Sequence, residues 1–211
     1  MTLLILAGWA TPDHPQAIHL MHSENIGLVG HFRIMARHNR WSNYRIYRAC
    51  QQLSPVEFAG SRVGFFPSLL LTLNHILVVD WYYLDALEGG GLGQGIFQNE
   101  TPYDTCQALA EAQAQTDQRL IHFCDHLTPQ DLAQPIAFDR GQRGILWDRV
   151  DRTLSHLLVH QIHHRGQAHA MLSSTEVSPP QLDEFLMAGD AHLRAEDLRE
   201  LGIQEVDIIP Q

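Results

Sequence analysis

The sequence predicts an all-α fold, a four-helix bundle with short extensions at both ends. Three observations predict it: apolar residues recur at helical spacing over four long segments, the connections between them are short, and alternating strand patterns are nearly absent. A chain of 211 residues that is 45% hydrophobic can bury one core but is too short for two full domains. We therefore expect an N-terminal extension at residues 1–22, the bundle at 23–175 and a C-terminal tail at 176–211.

The first long helix is expected over residues 26–53, where apolar side chains return every three or four positions. Ser54-Pro55 ends it, because proline cannot continue a helix but suits the first turn of a new one. Trp41 falls on the apolar side and is expected in the core.

The second long helix, over residues 67–88, is apolar on nearly every face and stops at the three glycines 89–91. Its length approaches that of a membrane span, which needs about 20 apolar residues. Asn74, His75 and Asp80 interrupt it, however. The interruptions favour a central helix buried on several sides, and we expect no membrane association.

The third and fourth long helices are expected over residues 104–127 and about 146–172, after a glycine-rich loop at 92–103. Between them, residues 135–144 carry a turn signal that favours a small hairpin. The positions predicted to face inward are Leu109, Leu120, Phe123 and Leu127 on the third helix, and Val150, Leu154, Leu157, Leu158 and Ile162 on the fourth. In the tail, only residues 195–201, followed by Gly202, have a helical pattern.

The charge balance restricts the possible partners. The chain has 24 acidic and 14 basic residues, a formal charge of −10, which opposes binding to phosphate backbones, so no nucleic-acid partner is expected. No lysine is present, which removes Schiff-base chemistry and a phosphate-loop lysine. The brief apolar run near the N-terminus has no basic residue before it, as a secretory signal would require, so we predict a cytoplasmic protein. Translation could start at Met1 or at Met21, which lies just before the first helical pattern.

Three cysteines are present, at positions 50, 106 and 124. Cys106 and Cys124 lie on one predicted helix, roughly 27 Å apart at about 1.5 Å per residue, and cannot pair. An odd set without zinc-like spacing indicates buried thiols in a reducing compartment, with a catalytic cysteine as the lesser alternative.

Histidine is as frequent as arginine, with 14 copies, and one stretch concentrates it. His160 and His164 are four residues apart, so on a helix their rings point the same way and can meet at one ion. His156 lies about 12 Å along the axis from His164, so one ion cannot bind all three when zinc–nitrogen bonds are about 2.0–2.1 Å. His75 is a candidate third ligand, because an unpaired imidazole within an apolar helix is costly.

Spacing alone leaves two interpretations open. Two histidines four apart are also typical of a solvated helix face, and a single core histidine is often only hydrogen-bonded. Were a metal site present, neutral imidazoles would favour zinc, nickel, copper or iron over magnesium or calcium, and the scarcity of anionic ligands favours zinc or nickel.

The residues resemble the DinB and YfiT group of helical metalloproteins over about residues 30–172. Three strings carry the resemblance: His160-Gln-Ile-His163-His164-Arg165-Gly166-Gln167-Ala-His169, Leu73-Asn74-His75, and Asn39-Arg40-Trp41-Ser42-Asn43. The resemblance implies a four-helix bundle, often a homodimer, with one divalent ion, zinc or nickel, on His75, His160 and His164. His156 and His169 have no ligand role in that pattern.

Further residues near this motif are candidates for supporting roles. His163 is expected beside the ligands or on the surface. Arg165 could orient an anionic substrate or pair with an acidic neighbour on the bundle surface. Asn43 and Gln167 could hydrogen-bond a metal-bound water or a ligand ring, although polar helix residues more often cap or face solvent.

Two functions follow from the resemblance. The first is a metal-dependent enzyme acting on a small molecule, a thiol-dependent transferase using a low-molecular-weight thiol or a hydrolase. The alternative is a non-catalytic metal-binding protein, structural or involved in stress response, whose ion stabilises the bundle or a dimer. A third reading, DNA binding, conflicts with the acidic balance.

Overall fold

A computed structural model describes residues 27–209 of the chain. Six α-helices and one β-hairpin make up its main elements. In chain order they are α1 (Gly27–Cys50), α2 (Pro55–Ala59), α3 (Leu69–Leu87), α4 (Cys106–His126), β1 (Pro135–Asp139), β2 (Ile145–Arg149), α5 (Val150–Leu172) and α6 (Ala191–Leu201). The predicted N-terminal extension and the choice between Met1 and Met21 lie outside the described residues.

The four long helices α1, α3, α4 and α5 form the predicted all-α bundle. Helix α1 packs on α4 and α5, and α3 packs on the same two helices, so α1 and α3 stand diagonally opposite each other. Within the described residues, no helix is long and apolar enough to cross a membrane.

Local sequence explains where these helices begin. Ser54 caps α2 and forms a capping box with Glu57, which confirms the break predicted at Ser54-Pro55. The side chains of Ser68 and Thr105 accept hydrogen bonds from backbone amides in the first turns of α3 and α4. Both helices start two residues later than their hydrophobic patterns predicted.

The predicted hairpin is present but longer than expected, and it corrects the start of the fourth long helix. Residues 145–149 pair antiparallel with 135–139, so α5 begins at Val150 and not near residue 146. Gly141 and Gly144 adopt φ angles of 59° and 74° in the turn between the strands, a region that favours glycine. The predicted inward position of Ile162 is also wrong, because its side chain is 49% exposed.

Two apolar clusters fill the bundle. Both contain residues from all four long helices. The first is built around Phe32, Leu84, Leu120 and Leu154, and the second around Ile46, Leu77, Leu109 and Leu172. The residues between these clusters along each helix include the polar side chains described below.

The C-terminal segment packs against α1 through a third apolar cluster. Phe185 is fully buried, and its ring centroid lies 5.2 Å from that of Trp41. The indole Nε1–H of Trp41 donates to Asp197 on α6 at 2.9 Å, and Arg45 contacts the same carboxylate. Helix α6 starts four residues before the predicted position and ends at Gly202, whose φ is 66°.

Candidate metal centre

Three histidines converge between the adjacent helices α3 and α5. One ligand nitrogen of each of His75, His160 and His164 lies within 4.8 Å of the others, and within the described residues these three form the histidine group able to hold a metal ion. The Nε2 atoms of His75 and His160 are 3.1 Å apart. The His164 ring centroid lies 4.6 Å from that of His75 and 4.4 Å from that of His160.

The spacing of these nitrogens suits one small cation. Zinc–nitrogen bonds of about 2.0–2.1 Å at tetrahedral angles place ligand nitrogens about 3.3 Å apart, close to the separation of the His75 and His160 atoms. The donor set suits the same ions, because within the described residues the group consists of three imidazoles with no acidic side chain among them. The residues present therefore fit a divalent ion.

The protonation state of the three rings also suits metal binding. Burial, together with the proximity of His164, lowers the pKa of His75 to about 4 and that of His160 to about 3. Burial lowers the pKa of His164 as well, against the hydrogen bond to Gln167, which raises it. All three imidazoles are consequently neutral near pH 7, so a cation need not displace a proton from them.

Gln167 fixes the orientation of one ligand ring. Its Oε1 lies 2.8 Å from Nδ1 of His164, and its Nε2 lies 3.2 Å from Nε2 of His163. With the carbonyl accepting from His164 Nδ1–H and the amide donating to His163, the free lone pair of His164 is on Nε2. The structure thus places Gln167 beside the ligand set, with exposed His163 on its outer side.

An aromatic side chain packs against two of the three rings. Phe66, from the loop before α3, lies with its ring centroid 4.3 Å from that of His75 and 5.7 Å from that of His164. Next to it, Phe65 is 78% exposed, and Val63 is also exposed. The Phe65 ring centroid lies 4.9 Å from that of Phe66, so an exposed apolar side chain adjoins the ring that packs on the histidines.

The other histidines on α5 lie apart from the three. His156 is exposed, and its ring centroid is 6.4 Å from that of His160, one turn along the helix. His169 bonds the carbonyl oxygen of Pro180 at 3.0 Å. Neither imidazole joins the three ligand nitrogens, in agreement with the pattern of the resemblance.

A buried polar network occupies the centre of the bundle, beside the histidines. All four long helices contribute to it, and its members are Asn39, Asn43, Asp80, Gln113, Asp117, Gln161 and Arg165. Arg165 donates to Asn39 Oδ1 at 2.7 Å and to Asn43 Oδ1 at 2.9 Å. The amide of Gln113 donates to both carboxylates, at 2.9 Å to Asp80 and 3.0 Å to Asp117.

Burial perturbs the charged members of this network. It raises the pKa of Asp117 to about 6 and that of Asp80 well above its usual range, while amide donors and Arg165 oppose the change. Burial also lowers the pKa of Arg165 to about 10, against the attraction of the two carboxylates. Arg165 remains charged near neutral pH and favours the ionised form of both aspartates, and Arg40 does the same for Asp117.

The structure does not bring Asn43 and Arg165 to the three histidines. Arg165 is only 3% exposed and lies in the interior, not on the bundle surface, and its hydrogen bonds go to Asn39, Asn43 and Gln161. Asn43 donates to Asp117 at 3.0 Å. Both side chains therefore form hydrogen bonds within the network. These contacts differ from the roles considered from the sequence, in which Arg165 orients a substrate and Asn43 binds a metal-bound water or a ligand ring.

Sequence reasoning missed the network as a unit, although a signal for it exists. Three pairs of polar residues four positions apart occur on three helices: Asn39 and Asn43, Gln113 and Asp117, and Gln161 and Arg165. Residues four apart share a helix face, so each pair presents two polar groups toward one neighbour. On α5 this face adjoins the ligand face, because Gln161 and Arg165 directly follow His160 and His164.

Comparison with known proteins gives the same grouping as the residues. The sequence model described as the DinB family matches residues 23–196. "Protein DinB" of Bacillus subtilis (strain 168) is 22% identical over 140 residues, which cover 64% of this chain and 80% of that protein. "Uncharacterized protein YizA" of the same organism is 25% identical over 130 residues, covering 62% and 79%.

Solved structures of similar fold are also known. A DinB-like protein from Bacillus cereus ATCC 10987 superposes with a TM-score of 0.52 at 16% identity, covering 67% of this chain and 90% of that one. The DinB-like protein YjoA of Bacillus subtilis gives a TM-score of 0.51 at 16% identity, covering 70% and 96%. These likenesses concern the fold. Since the family match spans most of the sequence, the chain belongs to the DinB family.

Proposed function

We propose that this protein binds one divalent metal ion, zinc or nickel, on His75, His160 and His164, and uses it as an enzyme on a small molecule. The observation that carries the proposal is the convergence of three neutral imidazole nitrogens within 4.8 Å. Neutral imidazole donors suit zinc and nickel. The hydrogen bond from His164 to Gln167 supports the same assignment, because metal-binding histidines usually anchor their second ring nitrogen in this way.

A site with three protein ligands leaves at least one coordination position for another molecule, as catalytic zinc sites do. When bound, such an ion supplies Lewis-acid chemistry and lowers the pKa of a coordinated group. The chain's own residues shape the surroundings: Phe66 excludes water from one side of the rings, and Gln167 holds the proton at Nδ1 of His164. The exposed side chains of Phe65 and Val63 offer an apolar edge to a small substrate.

The local chemistry favours thiol transfer over hydrolysis. Within the described residues, no carboxylate joins the three histidine nitrogens, and Asp80 and Asp117 are buried in hydrogen bonds of the network. Without a general base at the site, the nucleophile must lose its proton unaided, which is easier for a group with a lower pKa. A low-molecular-weight thiol, with a pKa of about 8.5, meets this condition better than water does.

Metal analysis of the purified protein tests the site. Wild type and His75→Ala, His164→Ala and His156→Ala variants should be loaded with zinc or nickel, desalted and analysed for metal per chain. The account expects one ion per chain in wild type and in the His156→Ala control, and a large loss in the other two. Equal metal content in all four proteins would refute the site.

Turnover is tested on the same metal-loaded protein. Common cellular thiols are supplied together with halogenated or epoxide acceptors, and conjugate formation is followed by mass spectrometry. Conjugation that depends on the ion and on His75 is the expected result. Stoichiometric metal binding without turnover would instead support the non-catalytic alternative, in which removal of the ion lowers thermal stability only.

A further inference from the structure

Two cysteines approach each other at one end of the bundle. Cys50 is the last residue of α1, Cys106 is the first residue of α4, and both belong to the second apolar cluster. The Cys106 sulfur lies 4.0 Å from the backbone oxygen of Tyr47, one turn before Cys50. The residues that follow the two cysteines also meet, because the side-chain amide of Gln51 donates to Oε1 of Gln107 at 3.1 Å. Each thiol shifts the pKa of the other.

The surroundings make the two sulfurs unequal. Cys50 is fully buried, whereas Cys106 is partly exposed and lines a cavity of about 340 Å³ bordered by α2 and the start of α4. Cys106 also occupies the first helical position after the cap Thr105, where the helix dipole favours an anion. The interaction with Cys50 lowers the pKa of Cys106, and the same interaction together with burial raises that of Cys50. The accessible sulfur therefore ionises first, next to a second thiol that keeps its proton.

We propose that Cys106 and Cys50 form a redox-active pair that a small hydroperoxide oxidises to an intramolecular disulfide. The Cys106 thiolate attacks the peroxide, an S–O bond forms as the O–O bond breaks, and the alcohol leaves after taking up a proton. The Cys50 sulfur then attacks the sulfenic sulfur of Cys106, and water leaves. The sum is two thiols and one hydroperoxide giving one disulfide, one alcohol and one water. Two equivalents of a low-molecular-weight thiol then reduce the disulfide by exchange, which regenerates both cysteines and releases the disulfide of the small thiol.

Cys124 provides a matched control within the same protein. It lies on α4 as Cys106 does, but in the first apolar cluster, and it is buried. Burial raises the pKa of its thiol to about 12. Cys124 should therefore stay reduced under conditions that oxidise the pair.

The test is peptide mapping of the full chain after treatment with hydrogen peroxide. Because the chain lacks lysine, trypsin cleaves after arginine only, and Cys50, Cys106 and Cys124 fall in three different peptides, 49–62, 63–119 and 120–140. Under non-reducing conditions, the linked pair 49–62 with 63–119 should appear in wild type and in Cys124→Ser. It should be absent from Cys50→Ser and Cys106→Ser, and a reducing thiol should remove it from wild type.

A second measurement separates the two steps. In Cys50→Ser the sulfenic acid on Cys106 has no resolving thiol, so dimedone should label peptide 63–119 in this variant and only weakly in wild type. The proposal is overturned if peroxide-treated wild type shows no linkage of these peptides, or a linkage to Cys124 or to a second chain. The result is expected to be the same in metal-free protein, so it stands or falls separately from the proposed metal site.

Discussion

Arg165 should be the most costly single side chain to remove from the interior. It is buried, donates hydrogen bonds to three side chains and compensates two buried carboxylates. Arg165→Met keeps an apolar stem of similar length, but it removes the cation that acts on both Asp80 and Asp117 and leaves Asp117 with Arg40 only. It also leaves the oxygens of Asn39 and Asn43 without this donor. Breaking a buried charge network by removing one partner typically costs about 3–5 kcal/mol.

That loss is a large fraction of a typical stability of about 5–15 kcal/mol. For a chain of this size it corresponds to a fall in melting temperature of roughly 6–20 °C. Urea unfolding of metal-free protein, followed by circular dichroism, measures the change without a contribution from metal binding. Arg152→Met is the matched control, because Arg152 lies on the same helix but is exposed, with its guanidinium 3.6 Å from Asp148. Its midpoint should equal that of wild type within error.

A double-mutant cycle with Asp117→Asn examines the cause. If the loss arises from uncompensated charge, Arg165→Met should cost less by at least about 1 kcal/mol when Asp117 is already neutral. The reasoning is refuted if Arg165→Met lowers the free energy of unfolding by less than about 1 kcal/mol, or if the two changes are additive.

Two further predictions concern individual hydrogen-bonded side chains. Gln167→Leu should weaken metal affinity by about 10- to 100-fold, because His164 loses the acceptor that orients its ring. The stability of the metal-free protein should change little. A competitive metal titration that gives wild-type affinity would contradict this prediction. Burial lowers the pKa of His38 to about 4. Between pH 6.5 and 4 its imidazole is therefore protonated in the unfolded chain but neutral in the folded protein, which favours unfolding. His38 alone should then lower stability by up to about 1.4 kcal/mol per pH unit, in addition to the effects of His75 and His160. His38→Gln should make the pH dependence less steep than that of wild type, whereas a change of exposed His31 should not, and parallel profiles would contradict this.

The sequence was sufficient for the helices and for the histidine group. Helical periodicity located the four long helices to within a few residues at most ends, because each has a broad apolar face. The spacing of His160 and His164 fixed their common direction on a helix. That His75 meets them depends on α3 packing beside α5, which the resemblance implied but local spacing did not.

What the sequence did not reveal depends on alignment between helices. The polar network forms because residues on four helices lie at the same height along the bundle axis. The sequence of one helix does not show how that helix is aligned with the other three. Asp80 was visible only as an interruption of an apolar helix, without its partners Gln113 and Gln161. Similarly, the start of α5 could not be read from periodicity, since residues 145–149 satisfy a helical pattern but pair as a strand.

X-ray absorption spectroscopy of the zinc-loaded protein tests the metal centre most directly. The account predicts imidazole scattering from three histidines, with zinc–nitrogen distances of about 2.0–2.1 Å, and its reduction in His75→Ala. A shell of sulfur at about 2.3 Å, or a shell of oxygen without imidazole, would contradict it.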